Sequence, residues 1–353
     1  MRALMHGTHL RPSATGAAQR LIRRAGLGAA LLLAALVLAA CGVTPQTILE
    51  PTTEAARASH WLFLVVFWAG LAVFVVVEGA LLYTIFRYRR RRGDTLPAQT
   101  HGNLKLEIGW TIAPTILVVL LAALTVPVIF ANAQQPEDDA IRVEAIGHQW
   151  WFEFRYPDLG VVTANELHLP VGRPAAIIIK SEDVLHSFWV PALRGKLDMV
   201  PGRTSVFRIF PEQTGTFPGQ CAEFCGTAHA LMRFTVVVEE PEEFDAWAAH
   251  QLTDRVPPTT ELAQAGEALL TPAGCALCHT IRGVTDIGTI GPDLTHVGSR
   301  AHIAANTMGM SRTDLEHWLR DPTGMKPGNL MILPRELTED EIDALTEYLM
   351  GLK

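Results

Sequence analysis

The chain has 353 residues, enough for two or three domains, and a formal net charge of −7 that argues against a nucleic-acid partner. A hydrophobic content of 49% and a mean hydropathy of +0.21 are high for a chain that lives wholly in water, so membrane segments are expected. Its 5 cysteines all fall inside short motifs, and none is left over for a structural disulfide.

Residues 1–40 read as an export signal. Arg20, Arg23 and Arg24 supply a basic start, and Leu27 to Ala40 is an apolar run too short to span a bilayer comfortably. The run ends at Leu38-Ala39-Ala40-Cys41, which resembles a bacterial lipobox. That resemblance implies cleavage before Cys41 and lipidation of its sulfur; a plain signal peptide is the other reading. Residues 41–60 then form an outer segment.

Two membrane helices follow. Trp61 to Phe86 is 26 residues long with one ionisable side chain, Glu78. At ~1.5 Å per residue it crosses a ~30 Å hydrocarbon core with room for tilt. Trp110 to Phe130 carries no charge and contains Pro114 and Pro127, which membrane helices tolerate. Residues 87–109 connect them, and Arg87, Arg89, Arg90, Arg91 and Arg92 place that loop on the cytoplasmic side. Everything after the second helix therefore lies on the outer face of a bacterial plasma membrane, in keeping with the acidic Glu137-Asp138-Asp139.

From 131 to 240 the pattern turns to short strands, clearest at Ile141 to Ala145, Ala176 to Lys180 and Phe234 to Val238, with Pro-Gly and Gly-Pro turns between them. A β-sandwich or barrel is expected. Residues 241–261 read as a linker holding a short helix around Phe244 to His250. Residues 262–353 return to helical periodicity, with helices at Thr313 to Leu319 and from Thr338, where Thr338 and Glu341 form a capping box.

Cys221, Cys225 and His229 recur at four-residue spacing, with Met232 three further on and His186 upstream. Thiolates, imidazoles and a thioether are soft or borderline ligands that suit copper, and the second cysteine supplies enough bridging sulfur for two coppers. A zinc site or a Cys221–Cys225 disulfide are the competing readings, and the methionine weighs against zinc. Cys275-Ala276-Leu277-Cys278-His279 is the pattern for covalent haem c attachment, with His279 as one axial ligand.

From about Trp61 to Glu240 the chain resembles subunit II of the haem–copper cytochrome c oxidases. The resemblance is carried by Gly147-His148-Gln149-Trp150, Ser181 to Ser187, Val200-Pro201-Gly202-Arg203 and the Cys221–Met232 loop. It implies a two-helix transmembrane hairpin, a cupredoxin-like β-sandwich and a dinuclear CuA centre. In that family Cys221 and Cys225 would bridge both coppers, His186 and His229 would each bind one, and Met232 and the Glu223 carbonyl would be weak ligands. Asp198 and the Glu223 side chain would lie near a magnesium shared with subunit I. Trp150 would be where electrons arrive from cytochrome c, although Trp150-Trp151-Phe152 departs from the usual order of aromatics. Glu107 matches a position near the mouth of a proton channel in subunit I, or is an interfacial charge that snorkels.

Residues 262–353 resemble a small, all-α class I cytochrome c. Gly291-Pro292-Asp293-Leu294 matches the segment whose proline carbonyl orients the proximal histidine. Met308, Met310, Met325 and Met331 are candidates for the sixth ligand. Lys326-Pro327-Gly328-Asn329-Leu330-Met331 resembles the ligand loop and favours Met331, with Met325 the alternative because no proline follows Met331 directly.

The whole resembles subunit II of a caa-type oxidase fused to its own cytochrome c. Electrons would come from a cytochrome c or cytochrome bc complex through haem c and CuA to subunit I, beside subunit III, where oxygen becomes water and protons are pumped. A CuA-containing reductase of nitrogen oxides and a non-catalytic copper carrier are the other classes considered.

Overall fold

The computed structural model describes residues 46–89, 99 and 101–353, together with residues 24, 26, 28, 29, 31, 32 and 35. Cys41 and Arg90 to Arg92 lie outside the described residues, so the lipidation reading and part of the basic loop are not addressed by it.

Helix α1 (Glu54–Tyr88) and helix α2 (Leu104–Asn132) are the two long apolar helices. Both are long and apolar enough to cross a membrane, and no residue in the most apolar stretch of either is buried by protein. Each extends beyond the apolar run that announced it. α1 begins seven residues before Trp61 because Thr53 caps it, accepting a hydrogen bond from the Ala56 amide, and Ala55 and Ala56 are strong helix formers. Asn103 caps α2 in the same way, accepting from Lys105 and Leu106.

The helices are fastened to the outer domain rather than merely tethered. The Thr53 hydroxyl donates to the Leu193 carbonyl at 2.6 Å, and Arg57 pairs with Glu212 at 2.7 Å. Arg194 donates to the carbonyl of Asn132, the last residue of α2, and to that of Arg208.

Ten strands form the outer domain: β1 (Ile141–His148), β2 (Trp151–Tyr156), β3 (Val161–Ala164), β4 (Glu166–Pro170), β5 (Ala175–Ser181), β6 (His186–Val190), β7 (Arg194–Met199), β8 (Ser205–Ile209), β9 (Gly215–Cys221) and β10 (Arg233–Glu239). They make two five-stranded sheets, β3-β2-β1-β5-β8 and β4-β10-β9-β6-β7. Each sheet holds one parallel pair, β1 with β5 and β10 with β4. Alternate residues turn inward, among them Val143, Ala145, Ile177, Ile179, Phe188, Val236 and Val238, and fuse into one core between the sheets. Each of the valines, isoleucines and the phenylalanine among them contributes roughly 1.5–3 kcal/mol when fully buried. This is the cupredoxin-like sandwich that the strand pattern and resemblance lead one to expect.

Within the segment read as a linker, the short helix expected around Phe244 to His250 is present and packs onto the sandwich. Helix α3 (Pro241–Gln251) lays Phe244 and Trp247 on Tyr156, and Trp247 stacks on His168 with centroids 4.1 Å apart. Beyond it, Arg282 donates to the carbonyls of Gln251 and Thr253, and Arg255 pairs with Glu267 at 2.5 Å. Burial of Phe244, the stacking of the half-buried Trp247 and these bonds explain why the segment does not hang free.

The last domain contains helices α4 (Glu261–Leu269), α5 (Arg312–Arg320), α6 (Pro322–Met325) and α7 (Glu339–Gly351), with the short strand pair β11 (His302–Ile303) and β12 (Met308–Gly309). The Thr338–Glu341 capping box starts α7. α4 crosses α7 so closely that a Cβ on Gly266 would lie 2.1 Å from the Ala344 carbonyl oxygen, which explains the glycine.

Candidate functional site

The first site sits where strands β6, β9 and β10 end. Cys221 closes β9, and its amide donates to the Met232 carbonyl at 2.9 Å, pinching the intervening loop into a pocket. Within it Cys221 Sγ and Cys225 Sγ are 3.8 Å apart, and both cysteines are free. His186 Nδ1 lies 4.0 Å from Cys221 Sγ, and His229 Nδ1 lies 3.6 Å from Cys225 Sγ. Met232 Sδ is 3.8 Å from Cys225 Sγ, and the Glu223 carbonyl oxygen is 3.2 Å from Cys221 Sγ. The potential ligand atoms of His186, Cys221 and Cys225 all lie within 4.8 Å of one another. All six expected donors thus converge. The sulfur-rich set fits soft metal ions, and two facing thiolates each flanked by an imidazole fit a pair of coppers.

The surroundings prepare these donors. His186 is fully buried, and its Nε2 faces Asp183 Oδ1 at 2.7 Å, which leaves Nδ1 for the sulfur side. Asp183 is itself held by the amides of Gln149 and Val184. Gly147 lies against the ring: a Cβ there would be 2.8 Å from His186 Cδ2. The two thiols share one hydrogen bond, which draws the Cys221 sulfur well below the ordinary thiol range and pushes Cys225 up. The pair is thereby biased toward giving up a proton, and a bound cation would displace the thiol protons.

The aromatic residues next to the site separate cleanly. Trp150 is 7% exposed, and its indole Nε1 donates to the Cys225 carbonyl at 3.1 Å. Trp151 stacks on His148, and Phe152 is fully buried among Phe154, Phe188 and Phe234. Of the three, Trp150 is the one hydrogen-bonded to the cysteine loop. The outward-facing Asp198 and Glu223 are brought together by a shared cation: Lys196 Nζ lies 3.1 Å from one and 2.9 Å from the other.

The second site begins at Gly274, whose φ of +84° turns the chain into the Cys275–Leu277 helical turn. A side chain there would strike Pro334, with its Cβ 2.7 Å from Pro334 Cγ. Gly291 donates to the Cys278 carbonyl at 2.8 Å and brings the following proline over the motif. His279 Nδ1 then donates to the Pro292 carbonyl at 2.8 Å, leaving Nε2 as the free ligand nitrogen. A Cβ on Gly291 would come within 2.6 Å of the His279 ring, so the cradle needs glycine. Burial, against a smaller opposing effect from the Pro292 carbonyl, holds the imidazole below its ordinary value and hence neutral. Two free cysteines beside a neutral, oriented histidine fit covalent haem c.

Met308 and Met310 pack against the apolar core of this domain. Met331 lies outside that core, three residues before Pro334, the residue that abuts Gly274. Met325 closes α6 beside Lys326. Glu107 sits in the first turn of α2, and its Oε1 accepts from the Asn103 amide at 3.2 Å; it is part of the helix start rather than a residue ahead of it.

Lys326 is the residue that motif reasoning passed over. It is 3% exposed, and its Nζ reaches across to the Trp150 carbonyl at 2.7 Å and to the Ala304 carbonyl at 3.2 Å. Burial pushes its ammonium down to about 7. In the sequence a lysine reads as solvent-facing, and nothing in its neighbours signals otherwise.

Comparison with known families agrees with this pair of sites. The family described as cytochrome c oxidase subunit II, transmembrane domain, matches residues 47–128; the periplasmic domain of the same subunit matches 160–240; and cytochrome c matches 263–353. Cytochrome c oxidase subunit 2 of Alkalihalophilus pseudofirmus is 36% identical over 329 residues, which cover 90% of this chain and 94% of that protein. The chain belongs to the cytochrome c oxidase subunit II family. The same subunit of Bacillus sp. PS3 is also 36% identical, over 339 residues covering 90% of this chain and 95% of the relative. Among solved structures, the periplasmic domain of cytochrome oxidase subunit II of Bradyrhizobium japonicum shares 30% identity at a TM-score of 0.32, covering 33% of this chain and 95% of that one. Membership in the family brings with it a copper centre of the CuA type and, through the cytochrome c domain, haem c.

Proposed function

We propose that this chain is the electron-accepting subunit of a caa-type cytochrome c oxidase in a bacterial inner membrane, with both redox sites on the periplasmic side. Cys275 and Cys278 would hold haem c by thioethers, with His279 and Met331 on the iron. Cys221, Cys225, His186, His229, Met232 and the Glu223 carbonyl would hold CuA. When bound, these groups supply one-electron transfer toward subunit I, where oxygen is reduced to water with proton pumping. The observation that carries the reading is the convergence of two sulfurs 3.8 Å apart with His186, His229 and Met232 around them.

The protein's own part is positioning. Asp183 and the Pro292 carbonyl fix the two imidazoles so that each presents one nitrogen, and the β-sandwich limits how far the copper ligands can shift. Trp150 supports the role of electron port by its bond to the Cys225 carbonyl. Pro334, three residues after Met331, abuts Gly274 just before Cys275, which supports Met331 over Met325. Asp198 and Glu223, paired with Lys196 here, would lie near a magnesium shared with subunit I, and Glu107 would serve proton loading in addition to its capping role. Subunit III and an upstream cytochrome c or cytochrome bc complex complete the expected partners.

Metal and haem analysis of the detergent-purified full chain, with optical and electron-spin spectra, tests this. Two coppers per haem, with a signal from one electron shared over both coppers, is expected. Zinc or a Cys221–Cys225 disulfide in place of copper would leave a membrane-anchored cytochrome and remove the oxidase role for this site.

A further inference from the structure

We propose that Lys326 is a positioning residue that latches the cytochrome domain onto the copper domain at Trp150, so that the two sites work in one fixed pose. The inference deepens the function proposed above and rests on reading Cys225 as a copper ligand.

Three observations converge on it. First, Lys326 is buried against backbone carbonyls of two domains, those of Trp150 and Ala304. Burying a lysine is unfavourable unless its donors are used, and each carbonyl it serves would otherwise lack that donor. Trp150 in turn donates from its indole to the Cys225 carbonyl. A continuous line therefore runs from the Lys326–Met331 loop, through the Trp150 residue, to the cysteine loop.

Second, the segment facing Lys326 is strained toward this contact. Ala304, Ala305 and Asn306 have φ values of 54°, 57° and 56°, a left-handed run that side-chain-bearing residues avoid. Each residue of the run makes a bond at the junction. The Ala304 carbonyl accepts from Lys326, the Ala305 carbonyl accepts from the Arg233 amide at 3.3 Å, and Asn306 Nδ2 donates to Thr235 Oγ1 at 2.5 Å. Strain that persists where the surroundings over-determine it marks a functional contact.

Third, the junction extends to both sides. The Ala301 amide donates to Glu166 Oε1 at 2.8 Å, and a Cβ on Gly328 would lie 2.7 Å from Thr227 Cβ. The cytochrome domain is thus bonded to the backbone of Trp150, the residue expected to receive electrons, which is 7% exposed.

The test is Lys326→Met in the full holo-oxidase, which keeps the length of the side chain and removes its donors. Hydrogen exchange is read at the Arg233 and Ala301 amides, the two that bond across the junction. We expect exchange there to quicken at least tenfold while amides of α7 keep their protection. Haem and copper spectra should stay unchanged. Asn306→Gly, which keeps the left-handed backbone and deletes the bond to Thr235, should move the same amides in the same direction from outside the ligand loop. Unchanged exchange in both variants with intact spectra would overturn the latch. Loss of the copper spectrum in Lys326→Met with exchange unchanged would do so too, since it would make Lys326 part of the metal site. If the unmutated protein shows no shared-electron copper signal, the functional reading fails, while the exchange result still decides the latch.

Discussion

Asp183 Oδ1 lies 2.7 Å from His186 Nε2, on the side of the ring away from Cys221. This bond selects which nitrogen of His186 can bind metal, and it keeps the ring from rotating in its buried pocket. Burial alone would raise the Asp183 carboxyl, but His186 and the amides of Val184 and Gln149 outweigh it and hold the group below the usual carboxylate range. Asp183→Asn preserves shape and removes the charge. Outer partners of this kind are worth about 10–100-fold in metal affinity, so a competition titration with a copper chelator should show a loss in that range. An affinity equal to that of the unmutated protein would reduce Asp183 to a loop residue.

The choice between Met331 and Met325 is decided by the haem spectrum. Met331→Leu should lose the features of a methionine-ligated low-spin haem and lower the reduction potential, because thioether ligation raises it. Met325→Leu should leave both unchanged apart from a small packing cost, for which roughly 1.5 kcal/mol is the ordinary ceiling of a volume-conserving swap. The reverse result would move the ligand to the end of α6.

Much of this architecture is legible in the sequence because its chemistry is written in rare residues at short spacing. Cys221, Cys225, His229 and Met232 sit within one loop, so their convergence needs no knowledge of distant contacts. The strands around Ile141, Ala176 and Phe234 show their alternation directly. The ends of the membrane helices are less legible: apolar runs mark the hydrocarbon, whereas Thr53 and Asn103 cap the helices outside it. The segment at 241–261 reads as a linker because it starts acidic and ends in Val256-Pro257-Pro258-Thr259-Thr260, yet Phe244 and Trp247 pin its short helix α3 to Tyr156 and His168. Lys326 is the least legible of all. Its burial depends on Trp150, 176 positions away, and no local pattern encodes such a contact.

Charge predicts how the upstream donor arrives. From Leu262 onward the cytochrome domain carries 12 acidic and 7 basic residues. A basic donor should therefore be steered to it, and the second-order rate of haem reduction should fall as ionic strength rises. The Debye length shortens from ~30 Å at 0.01 M to ~8 Å at 0.15 M, so the comparison across that interval is decisive. A rate indifferent to salt would mean that the donor docks through uncharged surface.

His168 gives the outer domain a predictable response to pH. It is buried beneath Trp247, with Glu239 Oε1 at 2.8 Å from Nδ1 and Glu166 Oε2 at 4.0 Å from Nε2. Burial pulls its basicity down, but Glu166 and Glu239 outweigh burial and hold the imidazolium above its ordinary value. A raised folded value means that the folded state keeps this proton more tightly than the unfolded chain. The contribution is fully present below the unfolded value of about 6.5 and is lost as pH climbs through the folded one. Glu166 works in the opposite sense: burial raises it, but His168 and Arg300 draw its carboxyl below the usual range. Its contribution is present above the unfolded value of about 4.3 and fades as pH falls through the folded one. Stability from this cluster should accordingly peak between those limits. His168→Gln removes the titrating ring while keeping a polar side chain. Thermal unfolding of the full chain in detergent should then show a smaller loss of midpoint between about pH 6 and pH 9 than the unmutated protein does. Parallel curves for the two would place the pH response elsewhere in the domain.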